Sequence, residues 1–199
     1  MEISHEMAFS TPTPLLGRFV QVVPLVPEHA PALVEAVQPG RLWETWYTSI
    51  PAPEEMAQEI AARLKRQSDG EIAAYAITLA EDSRPIGMTT YLHPDPQNLR
   101  VEIGSTWIGK QYQGGRVNAE TKLLMLQHAF EHLECQRVEL RAHHMNFQSR
   151  AAIEKLGAHC DGILRRHMLL PNGTWRDTVV YSILREEWPT VRAGLEARL

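Results

Sequence analysis

The stretch Val101-Glu102-Ile103-Gly104-Ser105-Thr106-Trp107-Ile108-Gly109-Lys110-Gln111-Tyr112-Gln113-Gly114-Gly115-Arg116-Val117-Asn118-Ala119-Glu120-Thr121-Lys122 decides how the chain is read. Its first eight residues alternate as a strand, with Val101, Ile103, Ser105 and Trp107 on one face and Glu102, Gly104, Thr106 and Ile108 on the other. Gln113, Gly114, Gly115, Arg116 and Val117 make a flexible, basic loop. Asn118 is placed to cap a helix, and Glu120 falls in its first turn, where the helix dipole favours a carboxylate. Leu123, Leu126, Phe130 and Leu133 then recur at the spacing of one buried stripe. A glycine turn running into a helix N-terminus gathers free backbone N–H groups at the positive end of the dipole. The expectation is a pyrophosphate site from Gln113 to Asn118.

On the N-terminal side, residues 1–14 are polar, with Pro12 and Pro14 among threonines, and read as a poorly ordered arm. Residues 15–25 have strand character and 28–37 fit a short helix entered through Pro27 and stopped by Pro39-Gly40. The aromatic cluster Trp43, Trp46 and Tyr47 follows, then a helix over 54–67 with Met56, Ile60 and Leu64 on one face. Residues 71–79 and 85–92 read as strands joined by the turn at Glu81-Asp82-Ser83-Arg84, and His93-Pro94-Asp95-Pro96 as a loop.

On the C-terminal side, 136–142 is a strand and 146–156 a shorter helix stopped at Gly157. Strands over 162–170 and 178–184 flank Pro171-Asn172-Gly173, a hairpin signal. The terminal helix, 186–199, turns Trp188, Val191 and Leu195 inward. These elements describe one α/β (α+β) domain over 15–199, with helices packed on a mixed, mostly antiparallel sheet of six to seven strands.

Composition sets bounds on function. The 199 residues fit one full-sized domain, and 44% hydrophobic with 22% charged residues is ordinary globular make-up. A net charge of −4 leaves no surplus of Lys and Arg for a general nucleic-acid binder. No apolar run is long enough to span a membrane, and the acidic N-terminus lacks the basic region of a secretory signal. Two cysteines, Cys135 and Cys160, make no disulfide framework and fit reduced thiols in a cytoplasmic protein. His143, His144, His159 and His167 lack metal-ligand spacing, and His143-His144 would face opposite sides of a strand, so no metal is expected.

Three places resemble the GNAT superfamily of acyl-CoA-dependent N-acyltransferases, and more narrowly its ribosomal-protein serine and alanine N-terminal acetyltransferases. The family's Gln/Arg-x-x-Gly-x-Gly/Ala loop falls on Gln113 to Asn118. The run Asn146-Phe147-Gln148-Ser149-Arg150-Ala151-Ala152-Ile153-Glu154-Lys155-Leu156-Gly157 matches the branch's Asn-x-x-Ser helix. Gly162, the hairpin and Tyr181-Ser182-Ile183-Leu184 match its last strands. The loop departs from the pattern at Arg116 and Asn118, but backbone N–H donation survives any residue except proline, and Arg116 can add a charge-assisted phosphate contact.

The resemblance implies a sheet splayed between the fourth and fifth strands and acetyl-CoA as cosubstrate. The pantetheine arm would pair with backbone near Trp107 and Ile108, and Asn146 would hydrogen-bond it. The acceptor, a small amine or a protein N-terminus, would enter from the other side, and a homodimer is the implied assembly. Ser149 maps to the branch's donor to the leaving thiolate; it is also placed to help cap its helix. The branch's glutamate base falls on or beside His167 and Met168 and does not carry over, and the superfamily's usual tyrosine is Ile153.

Transfer to an amine needs a base, and Glu102 is the candidate; as a bland alternative it is a surface strand carboxylate. Trp43, Trp46, Tyr47 and His167 are candidates for shaping the acceptor pocket, against plain roles as core anchors and an exposed strand histidine. A non-catalytic acyl-CoA sensor on the same fold is the competing function. A nucleotide-phosphate enzyme is disfavoured because no G-x-x-x-x-G-K-[ST] is present.

Overall fold

A computed structural model describes residues 4–199. A short helix α1 (His5–Ala8) leads into β1 (Leu15–Leu16) and β2 (Val20–Pro24). Helices α2 (Ala30–Val37) and α3 (Met56–Ser68) follow, then β3 (Ile72–Leu79), β4 (Pro85–Asp95) and β5 (Arg100–Ile108). After α4 (Arg116–Gln127), which runs on as a π-turn through His132, come β6 (Arg137–His143) and α5 (Phe147–Glu154). The chain ends with β7 (His159–Leu169), β8 (Trp175–Leu184) and α6 (Trp188–Glu196).

The eight strands form one sheet in the order β1-β2-β3-β4-β5-β6-β8-β7. All neighbours run antiparallel except β5 and β6. Eight strands appear in place of six or seven because the expected first strand breaks into two. A turn at Gly17–Phe19 separates β1 from β2 and is held by three backbone N–H bonds to the Glu120 carboxylate. The segment His93–Asp95 is strand rather than loop, with His93 taking a left-handed φ of 50°.

Helices cover both faces. On one, α4, α5 and α6 pack Leu126, Phe130, Ile153, Trp188 and Leu195 against Tyr91, Val101, Ile103 and Tyr181. On the other, α2 and α3 pack Leu33, Met56 and Ile60 against Ala74, Met88 and Trp107. The expected α4 stripe is buried: Leu123, Leu126, Phe130 and Leu133 are all core residues. The amino-terminal segment is packed rather than a loose arm from Ser4 onward. Ser4 caps α1, and Phe9, 1% exposed, sits in the main core.

Two departures from regular strand geometry shape the site. Pairing of β5 with β6 covers only Arg100↔Arg137, Val101↔Val138 and Glu102↔Glu139. From Ile103 onward the two strands part, which is the expected splay, here between β5 and β6. A bulge then interrupts the β4–β5 ladder between Met88↔Trp107 and Thr90↔Gly104, with Ser105 at φ 47°. The extra residue reverses the alternation. Val101 and Ile103 therefore face α4, while Trp107 joins the α2–α3 core, and Ile108 packs beside Val20, Ile77 and Ile86. The regular pattern had put Trp107 with Val101.

Candidate active site at the splayed strands

The anion end of the site is built by the β5–α4 connection. Gly114 has φ 76°, a conformation that favours glycine, and a side chain at Gly114 or Gly115 would meet no atom within 4 Å. The cradle is thus open. Gly115 occupies the N-cap of α4 and no side chain among the described residues caps the helix, so the N–H groups of Arg116, Val117 and Asn118 have no intrahelical acceptor. This is a fit for a pyrophosphate. Asn118 does not cap the helix: it lies within the first turn. Glu120 does not serve the dipole either; buried, it reaches back to the amides of Arg18, Phe19 and Val20 at 2.8, 2.7 and 2.7 Å. The glycine with positive φ also shifts the loop pattern back two residues, so that Gly114 is fourth in Gln111–Arg116.

Gln113 turns inward. Its Nε2 donates to the Ile108 carbonyl at 2.8 Å, and its Oε1 accepts from Gln148 Nε2 at 3.4 Å. The loop is thereby tied to both walls of the splay. Arg116 lies over the Phe19 ring, 4.9 Å from its centroid. On α5, Asn146 Oδ1 accepts from the Ser149 N–H at 3.0 Å, which orients the helix start and leaves the Asn146 amide group to donate. Ser149 is half-buried, and Ile153 is core, as expected.

Basic side chains hold the β5 bulge from opposite faces. From α3, Arg63 is buried and donates to Thr90 Oγ1 at 2.8 Å and to the Ser105 carbonyl at 3.4 Å. From α4, Lys122 is buried and its Nζ lies 3.2 Å from Thr106 Oγ1. Neither was legible in the sequence, because both sit at positions a helical stripe assigns to solvent.

Glu102 lies on the α2–α3 side of β5, on the last paired rung. Its Oε2 stands 3.0 Å from His93 Nδ1 and 3.2 Å from Arg141 Nε. The carboxylate is nearly buried, unlike a plain surface pair. It opens on a cleft of about 460 Å³ bounded by His93, Arg100, Glu139 and Arg141. Gly104 is needed beside it, since a Cβ there would come within 2.7 Å of Leu92 Cδ1 and 2.8 Å of Glu102 Oε1.

The aromatic candidates divide. Trp46 and Tyr47 converge on His143 at the end of β6, with ring centroids 5.3 and 5.9 Å away. Trp43 is instead partly buried against the α2–α3 core. His143 is 2% exposed, and burial is the main cause that holds its pKa below the ordinary histidine value. Its Nδ1 accepts the Met145 N–H at 3.1 Å, so the ring proton is on Nε2, a buried atom with no partner among the described residues. His143 and His144 stack at 5.0 Å rather than facing apart, because the strand ends there in a turn. His167 is exposed on β7, with Nδ1 3.1 Å from Thr178 Oγ1.

Among the described residues no group of three or more His, Cys, Asp or Glu side chains could hold a metal, and no helix is long and apolar enough to cross a membrane. Cys135 is buried, its thiol pushed up to about 12 by desolvation; Cys160, expected to pack as a small apolar residue, is exposed near the start of β7.

Residues 20–159 match the model of the acetyltransferase (GNAT) domain family. A Bacillus subtilis relative, named "Putative ribosomal N-acetyltransferase YdaF", is 34% identical over 110 residues, covering 55% of this chain and 59% of that protein. The match thus spans less than two thirds of that relative's length. A solved acetyltransferase structure from T. thermophilus superposes with a TM-score of 0.82 at 36% identity, over 94% of this chain and 97% of that one. Mycobacterium smegmatis RimJ, solved with CoA-disulfide, shares the fold at 21% identity and a TM-score of 0.77, over 93% and 92% of the chains. With an open anion cradle, a parted β5–β6 pair and these likenesses together, the chain belongs to the GNAT acetyltransferase family, its relatives including proteins named for ribosomal N-acetylation.

Proposed function

We propose that residues 15–199 form a single acyltransferase domain that moves an acetyl group from acetyl-CoA to a primary amine by direct attack in a ternary complex. The observation that carries this is the free edge of β5 from Ile103 to Ile108, running straight into the uncapped α4 N-terminus. Bound acetyl-CoA supplies the acyl group as a thioester whose carbonyl carbon is open to attack. Gln113, Gly114, Gly115, Arg116, Val117 and Asn118 hold the pyrophosphate through backbone donors, with Arg116 adding charge. Backbone near Trp107 and Ile108 receives the pantetheine arm, Asn146 bonds it, and Ser149 serves the sulfur.

Glu102 takes the proton from the acceptor ammonium, directly or through water, from its place in the cleft. Trp46 and Tyr47 line the acceptor approach, and His167 lies farther out along the same hairpin; Trp43 supports the helices behind them. A protein N-terminus is the favoured acceptor class, supported by the relatives named for ribosomal acetylation. A homodimer in the cytoplasm completes the reading. Its support is the edge strand β7, exposed along its length with Ile163, Leu164, Met168 and Leu169 outward.

The test is a melting curve with acetyl-CoA, followed by coenzyme release with peptides beginning in serine or alanine beside a panel of small amines. A rise in Tm with ligand and release with a peptide is expected. No rise at saturating ligand overturns coenzyme binding. A rise without release from any acceptor favours a non-catalytic acyl-CoA sensor, an outcome the buried Ile153 at the usual tyrosine position makes worth testing.

A further inference from the structure

Lys122 is a buried cation with no anion beside it among the described residues. It is 6% exposed, and the hydrogen bond its ammonium makes there is to the hydroxyl of Thr106 at 3.2 Å. That hydroxyl lies 2.8 Å from Thr89 Oγ1, which in turn bonds Met125 Sδ. The other charged groups around it are turned elsewhere. On α4, Glu120 is spent on the amides of Arg18–Val20, and at the helix end His128 faces Thr13 and Tyr91. Arg63 lies across β5 with Glu59. Lysine is almost never buried unless paired, because desolvating an ammonium costs several kcal/mol on the order-of-magnitude scale for buried ions. Burial alone accounts for its pKa falling to about 8.

Thr106, the anchor of this cation, lies in the unpaired half of β5, just past the Ser105 bulge. A coenzyme anchored at Gln113–Asn118 runs inward along this edge, and the channel closes where β5 meets β6 at Glu102↔Glu139. The inner end, from Gly104 to Thr106, is where the thioester must lie. Glu102 stands on one side of β5 there and Lys122 on the other.

We infer that Lys122 is a catalytic residue of the transfer, its ammonium acting as counter-charge and proton source for the sulfur of the departing coenzyme. The inference rests on the acetyl-CoA reading above. As the acceptor nitrogen's lone pair forms the C–N bond, the C–S bond breaks and its electron pair goes to sulfur. Lys122 Nζ gives that sulfur a proton and becomes a neutral amine, later recharged from solvent. The proton lost by the acceptor nitrogen goes to Glu102 or water. Ser149, whose hydroxyl is far too weak an acid to be the ultimate source, then relays or positions.

The experiment needs no acceptor. Coenzyme A is bound to the Cys160→Ser protein, and thiolate ultraviolet absorbance is followed against pH as a difference from the unliganded protein. A lysine at contact distance lowers the bound thiol's pKa by about 1 unit or more below that of free coenzyme A. Lys122→Met abolishes the lowering and Lys122→Arg retains part of it. A lysine that only fastens the bulge moves none of these values. A bound thiol titrating at or above the free value in the parent protein overturns the inference, as does an unchanged titration in Lys122→Met. The parent titration alone decides if Lys122→Met fails to fold. Absence of any Tm shift with coenzyme A in the parent protein instead defeats the coenzyme reading, and the catalytic assignment falls with it.

Discussion

Arg141 Nε stands 3.2 Å from Glu102 Oε2, a diagonal contact that joins β6 to β5 at the last rung before the strands part. His93 Nδ1 approaches the same oxygen from β4 at 3.0 Å. The second carboxylate oxygen is left for the cleft and for Gly104. Glu102→Gln keeps the shape but removes the charge that attracts an ammonium and accepts its proton. Turnover should fall about 100-fold or more, the usual scale for losing a positioned base. The acetyl-CoA melting shift should persist, since the coenzyme lies along the other end of β5. Steady-state kinetics beside the melting curves checks this; unchanged turnover clears Glu102 of the base role.

Glu120 ties α4 to the turn between the first two strands. Three buried amides point at one carboxylate, so Glu120→Ala leaves three donors without an acceptor. A hydrogen bond to a charged group contributes about 1.5–3 kcal/mol, and the losses are not additive. A fall of roughly 3 kcal/mol or more in unfolding free energy is expected from denaturant titration. Glu120→Gln retains one acceptor oxygen and should recover part of it. A loss under about 0.5 kcal/mol, the range of ordinary surface changes, would show that the turn stands by itself.

The splay illustrates what the sequence could and could not convey. Strand and helix periodicity located nearly every element, because apolar spacing in Leu123–Leu133 and in the 136–142 strand reflects local geometry directly. The β5 bulge was invisible: Ser105 carries no mark of its left-handed φ, yet one inserted residue moved Trp107 to the opposite core. Charge burial was hidden for the same reason. Arg63, Glu120 and Lys122 look like solvated helix positions until the partners on distant strands are in place. His143 read as half of an idle pair because the turn that stacks it on His144 and beside Trp46 is tertiary. The coenzyme loop was legible, since it depends on consecutive backbone donors.

Loop variants separate the real helix start from the expected one. Gly114→Ala forces a side chain into φ 76° and costs about 1–2 kcal/mol of left-handed strain, although the space around it is open. Its effect should appear mainly as weaker acetyl-CoA binding, because the loop relaxes away from the donor geometry. Asn118→Ala should change stability by no more than about 0.5 kcal/mol, as Asn118 does not cap α4. Calorimetry on both variants tests the pair. A loss of about 1 kcal/mol in Asn118→Ala would restore it as the cap.

His128 gives a pH signature. It is 8% exposed, between Thr13 and Tyr91, and desolvation with the neighbouring His132 holds its pKa down to about 4. The unfolded chain titrates near 6.5. Between those values the unfolded state binds more protons than the native one, so stability is fully present above about 6.5 and declines as pH falls toward 4. A loss on the order of 2–3 kcal/mol across that window is expected from this residue. His128→Gln should flatten that part of the curve. A profile as steep in the variant as in the parent would assign the acid loss to other groups.

The amino-terminal segment offers the last test, because composition and structure disagree about it. Residues 1–14 are polar in character, yet Phe9 lies 1% exposed in the core shared by α4 and the central strands. A buried phenylalanine cut to alanine loses its transfer free energy and leaves a cavity, together about 3–5 kcal/mol. Part of that cost is avoided if α1, a single turn at the edge of the fold, lifts off and lets water in. Phe9→Ala should therefore lower stability by at least about 2 kcal/mol, the low end for large-to-small core changes, and expose the first residues to protease. A melting curve superposable on the parent's would mean that the segment is the dispensable arm its composition suggests.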